Sequence, residues 1–273
     1  MTRSPAHVDP PRSDRVKAAP RYLLHPLRPV ARFVFRRRYD VRLHDVHHVP
    51  ASGPVIYASN HVGVIDGPIL AIFAPRPAHA LTKREMFRGF MGRFLWHSGQ
   101  IPLDRYHSDP AAVRTCLRAL REGRAIGIYP EGSRGAGDLE RFHRGAAYLA
   151  LVSGAPVVPV TMFGSREPGG SSGSIPRRGA RIDLVFGEAW HTDAVPWPRS
   201  REQVEKASLL LREHMLVQLD RARASTGREL PGPLPPTDVD PDPATGSTDT
   251  RTATPGRSLP STRAPATPAP KAA

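Results

Sequence analysis

Cysteine is almost absent from this 273-residue chain, and long apolar runs are missing. A lone cysteine, Cys116, cannot form a disulfide within the chain, and this usage is typical of a reducing cytoplasm. No stretch approaches the roughly 18–20 apolar residues that span a bilayer, and residues 1–15 contain no apolar signal core. We therefore expect a protein that neither crosses a membrane as a helix nor carries a cleavable export signal.

Aromatic residues are missing from Gly227 to Ala273, where 11 of the 47 residues are proline. Such a segment cannot bury enough apolar surface to offset the entropy lost on ordering. We therefore expect residues 227–273 to be a disordered Pro/Thr-rich tail. The Pro-rich, polar residues 1–20 are expected to be disordered as well, which leaves residues 40–225 for a single folded domain.

Acidic side chains are outnumbered, with 25 Asp and Glu against 39 Lys and Arg and a net charge of +14. A basic chain suits an anionic partner, either membrane lipid or nucleic acid. Residues 21–38 mix apolar side chains with six arginines, and Leu23, Leu27, Val30 and Val34 share one stripe at helical spacing. The pattern predicts an interfacial segment whose arginines, 21, 28, 32, 36, 37 and 38, face an anionic lipid surface. An ordinary surface helix is the alternative. No nucleic-acid-binding motif accompanies the arginines, so no nucleic acid is expected.

Short apolar runs alternate with helical patterns through the middle of the chain. Strands are predicted at 54–59, 78–82, 125–129, 156–162 and 181–186, and helices at 84–97, 110–122, 142–152 and 200–224. For the second of these helices, Asp109 is the expected N-cap, Pro110 fits the first turn and Gly123 ends it. The alternation predicts an α/β domain with a mostly parallel central sheet flanked by helices, with ligands beyond the carboxyl ends of the strands.

The sequence Asn60-His-Val-Gly-Val-Ile-Asp66 directly follows the first predicted strand. Residues five apart on a continuous helix differ by roughly 140°, so a helix would separate His61 from Asp66. A turn eased by Gly63 brings them together, and the carboxylate then fixes the tautomer of the imidazole and raises its basicity. The pair predicts a general base with its orienting acid. A purely structural hydrogen bond is the alternative.

Three further motifs follow in the chain: GQIPLDR at residues 99–105, YPEGSRG at 129–135 and APVVPV at 155–160. In the YPEGSRG motif, the glycines allow the backbone to approach a ligand closely. The planar guanidinium of Arg134 can donate two hydrogen bonds to a phosphate. A tight surface turn with a solvated Glu–Arg pair is the alternative. Ser133 is not predicted as a nucleophile, because a nucleophile elbow needs glycine at the position of Glu131. The cluster His44, His47 and His48 lacks a completing carboxylate or cysteine set, so no metal is predicted.

Together and in this order, the four motifs resemble those of the glycerolipid acyltransferase family, most closely its 1-acylglycerol-3-phosphate acyltransferases, over about residues 40–225. The resemblance implies that His61 is the general base and Asp66 its orienter. It also implies an acceptor site that holds a phosphate, formed by Lys83, Arg105, Glu131, Gly132, Ser133 and Arg134. The APVVPV motif would line the acyl or thioester side.

The implied reaction moves a fatty acyl group from acyl-CoA or acyl carrier protein to the free hydroxyl of 1-acylglycerol-3-phosphate, giving phosphatidic acid. It needs no metal, no cofactor and no covalent enzyme intermediate, and its lysophospholipid-type acceptor places the enzyme peripherally on the cytoplasmic face of the cell membrane. Alternatives are another acceptor such as glycerol-3-phosphate, a thioesterase, or a basic nucleic-acid- or membrane-binding module without catalysis. Two departures stand out: the family usually has serine where this chain has Gly63, and its hydrophobic N-terminal anchor is reduced here to residues 21–38.

Overall fold

The computed structural model describes residues 11–238. Its strands, β1 to β7, are Asp40–His44, Val55–Ser59, Ala78–Lys83, Ile101–Leu103, Ala125–Ile128, Val157–Phe163 and Arg181–Phe186. Its α-helices, α1 to α6, are Leu27–Arg38, Asp66–Phe73, Gly89–His97, Pro110–Arg121, Gly145–Ser153 and Arg201–Thr226.

All seven strands form one sheet in the order β1-β7-β6-β2-β5-β3-β4. The five strands from β6 to β4 run parallel to one another, and Tyr57 of β2 lies between Val158 of β6 and Gly127 of β5. Strand β7 is antiparallel to β6 and parallel to β1, so β1 and β7 form a reversed pair at one edge. The prediction of a single α/β domain with a mostly parallel sheet is confirmed.

The sheet is covered on both faces, which explains why its central strands read as apolar runs rather than alternating patterns. Successive side chains of β2 point to opposite faces. Val55 and Tyr57 join the core formed with α2, whereas Ile56 and Ala58 join the core formed with α4, α5 and α6. The helices therefore hold β2, and the residue that follows it, from both sides.

The residues predicted to begin and end α4 are confirmed. The Asp109 side chain accepts a hydrogen bond from the Ala112 N–H at 3.0 Å, Pro110 is the first helical residue, and Gly123 has φ of +69°. The helix predicted at 84–97 is interrupted, because a short 3-10 turn ends at Met86 and α3 starts only at Gly89, with φ of +58°.

Disorder was expected throughout residues 1–20, whereas the structure places residues 11–20 in contact with the domain. Ser13 and Ala19 are buried, and the Arg124 guanidinium donates to the Ala19 carbonyl at 3.0 Å. Ala19 also packs into the core that contains α4. A small side chain in a buried groove and backbone carbonyls that accept from arginines order this segment without aromatic residues. Residues 1–10 lie outside the described residues.

The first part of the predicted disordered tail, residues 227–238, also makes contacts with the domain. Gly227 ends α6 in the left-handed conformation, with φ of +64°, and the chain then folds back onto the domain. Pro231 is buried, and Leu230 packs beside the small core formed by Phe163, Val185, Leu219 and Ala222. The low apolar content that predicted a tail described the segment as a whole and hid these few contacts. Residues 239–273 lie outside the described residues.

Helix α1 lies on the domain with its arginine-bearing side partly inward, which corrects the predicted orientation. Arg28 and Arg32 donate to the carbonyl of Ile72 at the carboxyl end of α2, at 3.1 and 2.9 Å, and so do not face outward. The exposed residues of α1 include Val30, Phe33 and Val34. Uncapped carbonyls at the end of a helix favour cationic partners, and this accounts for the inward arginines. Within residues 11–238, no helix is both long and apolar enough to cross a membrane.

Candidate active site

His61 lies just beyond the carboxyl end of β2, where Asn60 fixes the turn. The Asn60 side chain donates to the Met162 carbonyl at 3.1 Å and accepts from the Met162 N–H at 2.8 Å. The two bonds mimic a further step of β-pairing with β6 and hold the chain in place as it leaves the sheet. The imidazole of His61 therefore starts from a fixed backbone position.

The side chains of His61 and Asp66 meet, as the folded-back turn predicted. The Nδ1 atom of His61 lies 2.8 Å from Oδ2 of Asp66, the first residue of α2. The same carboxylate oxygen accepts from the N–H groups of Val62 and Gly63, at 2.7 and 2.9 Å. Asp66 is completely buried and His61 is 18 % exposed. A carboxylate with donors from three groups favours the tautomer with the proton on Nδ1, which leaves Nε2 of His61 as the proton acceptor.

Tyr129 holds the other side of the imidazole. Its ring stacks on that of His61, with centroids 4.2 Å apart and planes at 26°. Burial and, less strongly, the Asp66 charge raise the pKa of Tyr129 well above its ordinary value of 10, so the phenol is neutral at physiological pH. The imidazole is thus fixed by a hydrogen bond in its plane and by a neutral ring across its face.

Glu131 lies beneath residues 60–66, here named the catalytic turn. Its Oε1 accepts a hydrogen bond from the His61 N–H at 2.8 Å, and its side chain is buried. Burial raises the pKa of Glu131 to about 8, against the opposing effect of the N–H groups of His61 and Gly137. The observed contact is therefore with the backbone of the base, and contact with an acceptor stays a prediction.

The predicted phosphate-binding residues follow neighbouring strands along the same edge of the sheet. Lys83 ends β3, where it pairs with Leu103 of β4, and Arg105 follows β4. The Arg105 guanidinium donates to the Gly132 carbonyl at 3.2 Å, so the 99–105 and 129–135 motifs are in contact. Because β2, β5, β3 and β4 are consecutive neighbours, their carboxyl ends form one continuous rim.

The 129–135 turn has further constraints of its own. Gly132 has φ of +71°, and a Cβ there would lie 2.5 Å from Nε2 of His143, so any other residue would strain the backbone and displace the His143 ring. Ser133 is buried, and its contact with an acceptor stays a prediction. The Arg134 guanidinium donates to the Ser172 carbonyl at 2.9 Å.

Comparison with known proteins decides the family. A family model described as Acyltransferase matches residues 40–163. The chain is 30 % identical over 156 residues to the 1-acyl-sn-glycerol-3-phosphate acyltransferase of Bacillus subtilis, covering 56 % of this chain and 75 % of that protein.

The chain belongs to this acyltransferase family.

Two other family members match over shorter stretches. The human 1-acyl-sn-glycerol-3-phosphate acyltransferase beta is 34 % identical over 134 residues, 47 % of this chain and 48 % of its own. The Borreliella burgdorferi enzyme of the same name is 33 % identical over 124 residues, 44 % of this chain and 50 % of its own. The chain therefore spans about half the length of these two relatives.

A solved structure shares the fold. The crystal structure of the 1-acyl-sn-glycerophosphate (LPA) acyltransferase PlsC from Thermotoga maritima superposes with a TM-score of 0.56 at 19 % identity. The superposition covers 76 % of this chain and 81 % of the PlsC chain.

Gly63 has a physical explanation within the acyltransferase fold. A Cβ at this position would lie 2.5 Å from the Ser165 carbonyl oxygen, closer than real side chains come. The loop after β6 thus occupies the space that a serine side chain at position 63 would need.

Sequence reasoning missed three residues that shape the site of this acyltransferase: Asn60, Tyr129 and Arg166. Arg166 is buried, and its guanidinium donates to the carbonyls of Val62, at 2.8 Å, and Gly135, at 3.0 Å. Asn60 and Tyr129 lie within recognised motifs, so their place in the sequence could have identified them as site residues. Arg166 stood in no motif, and its role depends on a loop path that the sequence pattern does not give.

The histidine cluster near the start of the domain has structural partners. His44 Nε2 lies 2.8 Å from Oδ1 of the buried Asp183, and His48 Nδ1 lies 2.7 Å from the Phe186 carbonyl oxygen. Both contacts tie the β1 region to β7. Among residues 11–238, no group of three or more His, Cys, Asp or Glu side chains is arranged to hold a metal ion.

Proposed function

We propose that this family member transfers a fatty acyl group from acyl-CoA or acyl carrier protein to the free hydroxyl of 1-acylglycerol-3-phosphate, giving phosphatidic acid. The observation that carries the proposal is the His61–Asp66 pair at the carboxyl end of β2, in a chain whose relatives bear that enzyme's name. The geometry leaves Nε2 of His61 as the proton acceptor, which is what activation of a hydroxyl requires.

The reaction then follows from the dyad. Nε2 of His61 takes the proton as the acceptor hydroxyl oxygen attacks the thioester carbonyl, and Asp66 stabilises the imidazolium that forms. The tetrahedral intermediate collapses with cleavage of the carbon–sulfur bond. The imidazolium returns its proton to the departing thiolate, so the products are an ester and a free thiol carrier. The dyad returns to its starting state without a covalent enzyme intermediate.

The thiol of the protein itself is a poor candidate for a covalent intermediate. Cys116 of α4 lies in the core, and burial raises its pKa to about 12. A thiol that stays protonated at physiological pH is neither a good nucleophile nor accessible to a lipid substrate. Direct transfer is therefore the simpler route.

The basic rim supports an acceptor that carries a phosphate. Lys83, Arg105 and Arg134 follow three neighbouring strands or their turns, and together they favour a dianionic headgroup over a neutral alcohol. Glycerol-3-phosphate and other lysophospholipids would present the same charge, so the acyl chain and headgroup of the acceptor decide among them. Water as the acceptor would leave the basic rim without a role.

Attachment to the membrane surface is part of the proposal, and we assign it to the cytoplasmic face. The exposed apolar side chains gather on α1, where Phe33 is 63 % exposed, and on α3, where Phe90 is 80 % exposed. The chain before α1 runs beside the end of α3, because the Leu23 N–H donates to the His97 carbonyl at 3.1 Å. Aromatic side chains at this exposure, flanked by arginines, are typical of a surface that enters the interfacial region of a bilayer.

The decisive experiment tests acceptor and donor together. Purified protein is incubated with labelled acyl-CoA and, separately, acyl carrier protein, against a panel of 1-acylglycerol-3-phosphate, glycerol-3-phosphate, other lysophospholipids and buffer alone. We expect thiol release that depends on 1-acylglycerol-3-phosphate and labelled phosphatidic acid as the product. Equal thiol release in buffer alone would instead identify a thioesterase, and product from another acceptor would reassign the substrate.

Attachment is tested by sedimentation with anionic liposomes. Phe33→Asp and Phe90→Asp should each shift protein from pellet to supernatant, because an ionised side chain opposes burial among lipid acyl chains. Asp193→Ala, a change at an exposed loop residue, should pellet like the wild type. Unchanged pelleting of both phenylalanine variants would place the attachment surface elsewhere.

A further inference from the structure

Residues 228–238, here named the strap, fold back from the end of α6 onto the carboxyl edge of the sheet. The first of them, Arg228, places its Nε 3.3 Å from Oδ2 of the completely buried Asp183 and donates to the Arg181 carbonyl at 3.1 Å. Arg181 and Asp183 stand at the start of β7, next to the end of β6. The strap is therefore anchored at the edge of the sheet that carries His61.

The middle of the strap joins the loops of the catalytic centre. Arg166 donates to the Gly232 carbonyl of the strap, and the same guanidinium donates to the carbonyls of Val62, Gly135 and Gly170. One buried arginine thus holds four chain segments together: the catalytic turn, the 129–135 motif, the loop after β6 and the strap. A planar guanidinium with five N–H groups is suited to such a junction.

The last residue of the strap, Asp238, is linked through Ser172 to Arg134, which is predicted to bind the acceptor phosphate. The Asp238 carboxylate accepts from both the N–H and the hydroxyl of Ser172, the latter at 3.1 Å. Ser172 is buried, and its carbonyl accepts from Nη1 of Arg134 at 2.9 Å. Each carboxylate oxygen therefore fixes one group of Ser172, and the peptide that follows Ser172 presents a fixed acceptor to Arg134.

We propose that Asp238 is a positioning residue for acceptor binding, which acts through Ser172 to orient the guanidinium of Arg134. The proposal rests on the proposed function, because it takes Arg134 as a ligand of the acceptor phosphate. A long arginine side chain loses rotamer freedom when it binds an anion, and a side chain already held by one carbonyl has less to lose. The remaining N–H groups of Arg134 stay available for the phosphate.

On charge alone, Asp238 would have the opposite effect. A carboxylate close to a phosphate site repels the substrate, and its removal would then improve binding. The hydrogen bonds to Ser172 argue that orientation dominates, since both carboxylate oxygens are engaged with donors of the loop. The two effects predict opposite signs for the change in acceptor KM, so the experiment separates them.

The test uses the full chain with Asp238→Ala, Asp238→Asn and the matched surface control Asp193→Ala. We expect Asp238→Ala to raise the KM for 1-acylglycerol-3-phosphate roughly tenfold, the effect of one charge-assisted hydrogen bond. The kcat and the KM for acyl-CoA should stay within about twofold of the wild type. Asp238→Asn should rescue part of the loss because its amide oxygen still accepts, and Asp193→Ala should match the wild type.

A double-mutant cycle with Arg134→Ala shows whether Asp238 acts through the arginine. If it does, adding Asp238→Ala to Arg134→Ala raises the acceptor KM no further. Additive losses, a lower KM in Asp238→Ala, or a fall in kcat instead of a rise in KM would each overturn the proposal.

Hydrogen exchange gives a readout that does not depend on turnover. Amides of residues 170–174 should exchange faster in Asp238→Asn than in the wild type, and those of α5 should not change. This measurement keeps the proposal testable if Asp238→Ala fails to fold, because unchanged exchange in Asp238→Asn would contradict it. If the wild type does not use the acceptor at all, the proposed function fails. If the wild type uses it and Asp238→Ala behaves like the wild type, only the role of the strap fails.

Discussion

Replacement of His61 by alanine has a matched control in the same sheet. His61 and His44 each contact a completely buried carboxylate at 2.8 Å, that of Asp66 and that of Asp183. Each carboxylate keeps other donors, from the N–H groups of Val62 and Gly63 in one case and from Arg181 and Arg228 in the other. The structural cost of losing either imidazole should therefore be similar.

The expected magnitudes separate the chemical role from the structural one. Loss of one hydrogen bond to a charged group costs about 1.5–3 kcal/mol of unfolding free energy. For a domain of this size, that lowers Tm by about 3–12 °C in both His61→Ala and His44→Ala. Loss of a general base lowers kcat about 10²- to 10⁴-fold, or about 2.7–5.4 kcal/mol of activation free energy, and only His61→Ala should show it.

Two assays on the same preparations decide the matter. Thermal denaturation gives the structural cost, and acceptor-dependent thiol release gives kcat. The reasoning is refuted if a folded His61→Ala variant keeps near-normal kcat. It is also refuted if His44→Ala loses as much kcat as His61→Ala, since the loss would then come from damage to the sheet.

Three further outcomes are expected. Asp66→Asn should lower kcat nearly as much as His61→Ala, because the amide supports the wrong imidazole tautomer; thiol release with added acceptor measures this. Gly63→Ser should cost about 1–3 kcal/mol of unfolding free energy through overpacking against the Ser165 carbonyl, visible as a lower Tm, and an unchanged Tm would show that the loop yields. Glu131 has its pKa raised from 4.5 to about 8, so its contribution to stability is present below pH 4.5 and lost as pH rises to about 8. Plots of Tm against pH should show this loss in the wild type and not in Glu131→Gln.

The central strands were predictable because their burial is nearly complete. All five residues of β2 and all seven of β6 are buried, so both appear in the sequence as continuous apolar runs. Strands β1 and β4 were not predicted. They lie at the two edges of the sheet, and β4 has only three residues. Three of the five residues of β1, namely Asp40, Arg42 and His44, are polar and exposed or half-buried. Edge strands of this kind owe their conformation to pairing with a neighbour, which a local pattern does not reveal.

Contacts between distant segments account for most of the other differences. The inward direction of Arg28 and Arg32 depends on the position of the end of α2, which is about 40 residues away in the chain. The same holds for the strap, where Asp238 meets Ser172 at a separation of 66 residues. The His61–Asp66 contact was predictable because the two residues are only five apart and a glycine lies between them.

The connections of β2 and β5 explain why two loops meet where His61 lies. From β2 the chain passes through α2 to β3, and from β5 it passes through α5 to β6, so the two connections leave in opposite directions along the sheet. Helix α2 packs on one face and α5 on the other. The loops that begin these two connections meet at the strand ends before they part, where the Gly135 N–H donates to the His61 carbonyl at 2.9 Å, and this junction is a consequence of topology. Core substitutions that keep the strand order should therefore preserve this junction, whereas a circular permutation that opens the chain between β2 and α2 should free one end of the turn that carries His61.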